Sequence, residues 1–224
     1  MKIFFTLLAA LVLAMAGNRL QSQTLDWGSE VFSDLVDSDG DVLDSTFVFE
    51  LGAFADGFTP DESNVDEWVT NWRVFHRAAY NEAAGYFSSS VNMLDDGTSD
   101  SPHLTSGAPS FEGLNAYLWV RNGDDPVEGT EWLLTRSDTW VFPAAIPGCC
   151  DTGTPLQWSV SDLDGGDVPE WGKQGSVGGP GVFTDPGTHT LQTYTFVPEP
   201  SSLAMAGLAA VLLLRRHRNQ RGSA

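Results

Sequence analysis

Cysteine is scarce in this 224-residue sequence: only two are present, and they are the adjacent residues Cys149 and Cys150. Adjacent cysteines can bond to each other only through a small strained ring, so the disulfide framework of many small secreted domains is excluded. The pair lies in a turn-like segment, as a vicinal disulfide or as two free thiols. A catalytic thiol would need a base beside it, and no histidine is close in sequence.

Positive charge is also scarce in the central part of the chain, residues 24–196. Its strong cations are Arg73, Arg77, Arg121, Arg136 and Lys173, against nearly all of the 30 acidic residues of the chain. Nucleic acids and anionic lipid headgroups are therefore excluded as partners, because their phosphates would be repelled. Divalent cations and neutral or cationic polymers are compatible with this charge.

Catalytic motifs are missing. The sequence has no Gly-x-Ser-x-Gly elbow, no phosphate-binding loop and no dinucleotide fingerprint. His76, His103 and His189 are too widely spaced to indicate a zinc site. Carboxylates are abundant, but no pair stands out as the acid and base of a glycosidase. We therefore predict a protein that is not an enzyme, with a polysaccharide hydrolase as the least favoured alternative.

The sequence has no long apolar run. Two short apolar runs are present, one near each end of the chain. The first covers residues 3–16, follows Lys2 and ends in the small-x-small pattern Ala14-Met15-Ala16. This is typical of a secretory signal peptide cleaved by signal peptidase after Ala16. A later cut, near Gln23, is the alternative.

The second run, residues 203–214, is enclosed by two further features. Before it stands Val197-Pro198-Glu199-Pro200, whose prolines favour an extended peptide that a protease can bind. After it come Arg215, Arg216 and Arg218, a basic anchor that would stay cytoplasmic. The run is shorter than the roughly 20 residues that span a bilayer comfortably. We nevertheless predict a C-terminal transmembrane helix within a sorting signal over 197–218; a buried helix of the preceding domain is the alternative.

Motif, apolar helix and basic tail in this order resemble the PEP-CTERM sorting signal of bacterial surface proteins, also known as the ice-binding protein C-terminal domain. The resemblance implies that an exosortase, a membrane protease-transferase, acts near Val197, Pro198, Glu199 and Pro200. It also implies export, anchoring in the inner membrane before processing, and then a place at the cell surface or in the exopolysaccharide matrix. For the body we predict a non-enzymatic structural or adhesive role.

Between the two ends, residues 24–196 are long enough for one domain with a single core. Short β-branched and aromatic runs separated by Gly, Asp, Asn and Pro predict strands. These runs are 46–51, 85–91, 115–120, 131–135, 156–160 and 189–196. Thr59-Pro60-Asp61-Glu62 predicts the start of one helix, with Thr59 as the cap and Pro60 as the first helical residue. Val65, Trp68, Val69 and Trp72 would form an apolar stripe on this helix. The prediction is a mainly β protein, a β-sandwich-like body with one helical insertion.

A cluster of alternating carboxylates, Asp37-Ser38-Asp39-Gly40-Asp41, is flanked by Asp34 and Asp44. In an extended loop Asp37, Asp39 and Asp41 would point to one side, as Ca²⁺ ligands do. It is not an EF-hand loop, because Val48 stands where the bidentate glutamate belongs. The segments 162–167 and 95–97 repeat the composition more weakly. We predict no cofactor and interpret these segments as solvated Asp-Gly turns; calcium bound at residues 37–41 is the alternative.

The eight tryptophans suggest a carbohydrate-binding module, in which exposed indoles beside carboxylates stack on sugar rings. Trp68, Trp72, Trp119, Trp132 and Trp158 lie at helix or strand positions where core packing is expected. Trp27, Trp140 and Trp171 are the better surface candidates. Extracellular polysaccharide is therefore a candidate partner, and a carbohydrate-binding module, with or without calcium, is the alternative function.

Overall fold

The computed structural model describes residues 23–144, 155–163, 167–175, 177–179 and 190–196. The predicted signal peptide of residues 1–16, the two cysteines and the C-terminal sorting signal lie outside these residues. The described part is mainly β, as predicted. Its strands are β1 Gln23–Gly28, β2 Asp34–Val36, β3 Val48–Phe54, β4 Trp72–Ala78, β5 Tyr80–Asn81, β6 Tyr86–Met93, β7 Tyr117–Arg121, β8 Glu131–Thr135, β9 Leu156–Ser159, β10 Lys173–Gln174, β11 Val177–Gly178, β12 Thr190–Gln192 and β13 Tyr194–Thr195.

These strands form three sheets. The central sheet has five antiparallel strands in the order β13-β8-β7-β3-β4. The outer sheet has the order β5-β6-β1-β9, and the side sheet has the order β11-β10-β12-β2. Two pairings are parallel, β1 with β9 and β2 with β12. Both join an early strand to a late one, so the two ends of the described chain meet in space.

The main core lies between the central and outer sheets, as in a sandwich. Phe49 and Leu51 of β3 point into it from the central sheet, because alternate residues of a strand face opposite sides. Leu25 of β1 and Phe87 of β6 enter from the outer sheet, and the rings of Phe49 and Phe87 are 4.5 Å apart. The side sheet contributes Leu35 and Leu191 to the same core.

A second core covers the other face of the central sheet. It is built largely of aromatic side chains: Phe54, Trp68, Trp72, Tyr117, Trp119, Trp132, Leu134, Trp171 and Phe196. Because the central sheet is covered on both faces, β7 and β8 are buried along almost their whole length. This explains why their sequences are nearly continuous hydrophobic runs and not alternating ones.

The predicted helix is present, but it is shorter than its apolar spacing suggested. It consists of a 3₁₀ helix, Glu62–Glu67, followed by a single α-turn, Trp68–Asn71, and Trp72 already begins β4. The cap is Asp61, whose Oδ1 accepts a hydrogen bond of 2.8 Å from the Ser63 amide. The prediction of a cap at Thr59 with Pro60 as first helical residue was therefore wrong.

The four-residue apolar stripe was also wrong as a helical feature. Trp68 and Trp72 are both buried in the second core, one from the α-turn and one from the strand, whereas Val69 is exposed. Trp68 is held by its own turn, since its indole Nε1 donates to Asn64 Oδ1 at 2.7 Å. Within the described ranges, no helix is long and apolar enough to cross a membrane.

Candidate functional site

The last described residues, 190–196, pair with strands of both the side sheet and the central sheet. β12 lies between β2 and β10, and after Thr193 the chain continues as β13 on the edge of β8. Phe196 ends the segment: its amide donates to the Thr130 carbonyl at 2.8 Å. Its ring stacks on Trp171 with centroids 4.5 Å apart and meets the Trp132 ring edge-on at 4.7 Å. Phe196, the last described residue, is thus buried in the second core.

Glu131, the first residue of β8, holds the same C-terminal segment through hydrogen bonds. Its carboxylate accepts hydrogen bonds from the Ser38 hydroxyl at 2.7 Å, the Ser38 amide at 3.1 Å and the Thr195 hydroxyl at 2.8 Å. The Thr193 hydroxyl also donates to it. Burial raises the pKa of Glu131, but the hydrogen bonds from Thr193, Ser38 and Thr195 outweigh it and leave the pKa below the ordinary value. One carboxylate therefore joins the acidic turn at 37–41 to the C-terminal strand.

The acidic turn is a structural element of the side sheet. Asp37 Oδ1 accepts from the amides of Asp39, at 3.0 Å, and Asp41, at 2.9 Å, and Gly40 has the positive φ of 91° that the turn requires. Gln192 Nε2 donates to the carbonyl of Asp37 at 3.0 Å. The segment is a turn and not an extended loop, and the Asp37 carboxylate is directed at the backbone of this turn.

The weaker acidic segments have similar tasks. Asp162 Oδ2 accepts from the Ser159 amide at 2.8 Å and from Trp140 Nε1 at 3.0 Å, while residues 164–166 lie outside the described part. Asp96 Oδ1 accepts from the amide and the hydroxyl of Thr98, at 2.9 and 2.6 Å. Among the described residues, no group of three or more His, Cys, Asp or Glu side chains is placed to hold a metal ion. Calcium binding stays an untested prediction.

The most deeply buried charge is one that the sequence analysis missed. Glu50 on β3 has no exposed surface and accepts from Arg77 Nη2 at 2.5 Å, Arg121 Nη2 at 3.0 Å and Trp72 Nε1 at 2.9 Å. The Arg121 guanidinium lies over the Trp119 ring, 4.6 Å from its centroid. The signal in the sequence is a single carboxylate inside an aromatic strand run. Its three donors come from β4 and β7, so this carboxylate connects β3 to both neighbouring strands.

The tryptophans offer no exposed sugar-stacking surface. All eight are buried: Trp27, Trp68, Trp72, Trp119, Trp132, Trp140, Trp158 and Trp171. The prediction that Trp27, Trp140 and Trp171 are surface residues was wrong. Trp140 stacks on Trp158 with centroids 5.9 Å apart, and Trp171 stacks on Phe196. Trp140 lies in a loop and Trp171 in an isolated β-bridge, so segments outside the main strands also contribute buried side chains.

His76 is also a buried residue with structural contacts. His76 on β4 is buried, with Nδ1 2.8 Å from the Ser101 hydroxyl and Nε2 2.7 Å from the Ser89 hydroxyl. Its burial lowers its pKa, nearby His103 lowers it further, and Asp100 opposes both effects more weakly. His103 itself is exposed, and His189 lies outside the described residues.

The comparison with known families gives one match. The model of the PEP-CTERM protein-sorting motif matches residues 196–219. No curated protein and no solved structure matches this chain. This is a PEP-CTERM-containing bacterial protein. The predicted motif residues Val197–Pro200 and the basic anchor of Arg215, Arg216 and Arg218 fall inside the matched range, although outside the described structure.

The PEP-CTERM motif is a sorting signal recognised by an exosortase, so the chain is an exported, membrane-processed protein. The match begins at Phe196, which is also the residue whose ring closes the second core. The matched range and the folded body therefore overlap at Phe196, and the predicted motif begins at the next residue in the sequence.

Proposed function

We propose that the body is a non-enzymatic structural or adhesive component of the cell surface or exopolysaccharide matrix, delivered there by its PEP-CTERM signal. The observation that carries the proposal is the continuity of body and signal: the motif follows directly on the strand that closes the fold. The β-rich body is thus the cargo of the sorting step.

The use of the unusual titratable groups supports a role without catalysis. Glu50 is held by two arginines and an indole, Glu131 by four hydrogen bonds, and His76 by two serine hydroxyls. A general acid or base has to reach a substrate with the group that exchanges the proton. Each of these groups instead uses its polar atoms to connect strands and turns.

The distribution of charge supports an adhesive surface. Arg121 and Lys173 are buried, and Arg77 shares the Glu50 carboxylate with Arg121. Since few cations are left to neutralise the surface, it is strongly acidic. Such a surface binds cationic polymers and divalent ions by charge, and adhesion through it should weaken as salt screens these interactions.

The carbohydrate-binding alternative loses its expected platform, because all eight tryptophans are buried. Binding of the purified protein to a glycan array, with and without calcium, measures this alternative directly. Turnover of a polysaccharide panel measures the hydrolase alternative in the same way. A selective glycan ligand or a released sugar would replace the structural proposal.

The sorting step is tested by replacing Pro198, Glu199 and Pro200 with alanine. The variant should stay uncleaved in the inner-membrane fraction, because the sequence bound by the exosortase has been removed. A matched control changes the same residue types at exposed positions, Pro102, Glu128 and Pro109. The control should be sorted normally. If the tail variant keeps the mass and location of the wild-type protein, the proposal is wrong.

A further inference from the structure

The predicted sorting signal directly follows Phe196, a residue that is packed into the fold. Phe196 is 7% exposed and packs between Trp132 and Trp171, with its amide bound to the Thr130 carbonyl. Val197, the first residue of the predicted cleavage motif, is its direct neighbour in the chain. An extended chain gains at most about 3.6 Å per residue, so residues 197–200 stay within roughly 14 Å of Phe196.

A protease binds its substrate as an extended segment on both sides of the bond that it cuts. While Phe196 and β13 are docked, the segment before the motif is a strand of the central sheet and is not available for such binding. We propose that docking of β13 and Phe196 limits the rate of exosortase processing, which proceeds through a locally opened form. This inference rests on the sorting function proposed above.

The opening can be local because β12 and β13 are held by different sheets. β13 pairs only two residues with β8, Tyr194 with Trp132 and Thr195 with Glu131. β12 is held separately between β2 and β10. Residues 194–196 can therefore leave while 190–192 stay in the side sheet. Local openings of this kind are much more frequent than global unfolding.

The first test weakens the docking without touching the matched range, 196–219. Thr195→Val keeps the β-branched shape and removes the hydroxyl that donates to Glu131. If cleavage follows the population of the open form, processing should accelerate by about tenfold, as expected for one lost hydrogen bond to a carboxylate. Glu131→Gln is a second variant with the same expected direction.

Thr24→Val is the matched control. It is the same substitution on β1 of the outer sheet and removes one side-chain hydrogen bond, from Thr24 to Asn92 at 2.9 Å. Local docking predicts unchanged processing in this control. Equal acceleration in Thr24→Val and Thr195→Val would mean that overall stability sets the rate, and would overturn the inference.

The second test inserts a spacer of six residues, alternating glycine and serine, between Phe196 and Val197. The insertion adds up to about 20 Å of extended chain, so the motif becomes accessible while Phe196 stays docked. Processing should then be faster than in the wild-type protein and should no longer respond to Thr195→Val. A spacer variant processed at the wild-type rate would overturn the inference.

The measurement is pulse-chase conversion of the full-length precursor in host cells that contain the exosortase. Hydrogen exchange of the amides of 194–196 in the purified full chain reports independently whether each variant loosens the strand. Loosened exchange with unchanged processing overturns the inference. The alanine variant of the motif separates the two proposals: if it blocks processing while the spacer has no effect, only the docking inference fails.

Discussion

Arg121 donates from Nη2 to Glu50 Oε2 across 3.0 Å, between adjacent strands β7 and β3, and both side chains are almost wholly buried. The pair lies beside the second core, where the indole of Trp72 adds a third donor to the carboxylate. Removing two charges from water is costly, and good geometry compensates only while both partners are present. This makes the pair sensitive to the loss of either member.

Arg121→Ala should destabilise the body by about 3–5 kcal/mol, because it leaves Glu50 buried with an incompletely neutralised charge. Arg77→Ala should cost about 1 kcal/mol or less, since the Arg77 side chain is 39% exposed and its pair is screened. Urea unfolding followed by tryptophan fluorescence measures both values. Equal losses in the two variants would contradict this division of roles.

Trp72 has both a packing role and a hydrogen-bonding role, which two substitutions separate. Trp72→Ala should cost about 3–5 kcal/mol, because its ring packs 5.1 Å from both Phe54 and Trp119. Trp72→Phe keeps an aromatic ring but removes the donor to Glu50, and about 1–3 kcal/mol should be lost. Chemical denaturation gives both values, and a negligible effect of Trp72→Ala would mean that this part of the second core is not closed.

Gly52 permits the close approach of β3 and β4 at the irregularity in their register between Leu51 and Gly52. A Cβ at this position would be 2.2 Å from the Arg73 carbonyl oxygen and 2.7 Å from the Trp72 ring. Gly52→Ala should therefore destabilise the body by about 1–3 kcal/mol or more, as overpacking does. Ala53→Gly, at the next position, is the comparison for a change without a clash; a thermal melt that ranks Gly52→Ala as the milder of the two would refute this account.

His76 should make stability depend on mildly acidic pH. Its folded pKa is lowered, so the unfolded state binds the proton more readily. The stability is fully present above the unfolded pKa, about 6.5, and is lost progressively as the pH falls from there through the folded pKa. His76→Gln should show a smaller decrease in this range. Urea midpoints at pH 7.5 and 5.5 test the difference, and parallel pH profiles for the two proteins would exclude His76 as the cause.

The strands were largely predictable because their composition is locally distinctive. β7 and β8 are aromatic and β-branched runs enclosed by turn residues, and they were placed nearly correctly. Trp72 was not, because a spacing of four residues from Trp68 fits a helical face as well as two buried side chains on consecutive elements. The change from α-turn to strand at Asn71 depends on the pairing of β4 with β3, which is a long-range contact.

The polar contacts were less predictable than the strands. Glu131 gathers Ser38, Thr193 and Thr195 from distant parts of the chain, and no local pattern in the sequence connects them. The burial of Trp140 and Trp171 was missed for a related reason. They lie in segments with turn composition, and only the tertiary packing on Trp158 and Phe196 shows that these segments cover a core.

The parallel pairing of β2 with β12 gives the body a defined order of completion. Asp37 and Gln192, which meet at the end of this pairing, are 155 positions apart in the chain. Contacts of such sequence separation form late and slowly. Until residues 190–196 have been synthesised and exported, β2 lacks its sheet partner and β8 is an open edge, the kind of surface on which chains aggregate. The newly exported chain therefore exposes these two strand edges until its last strands emerge.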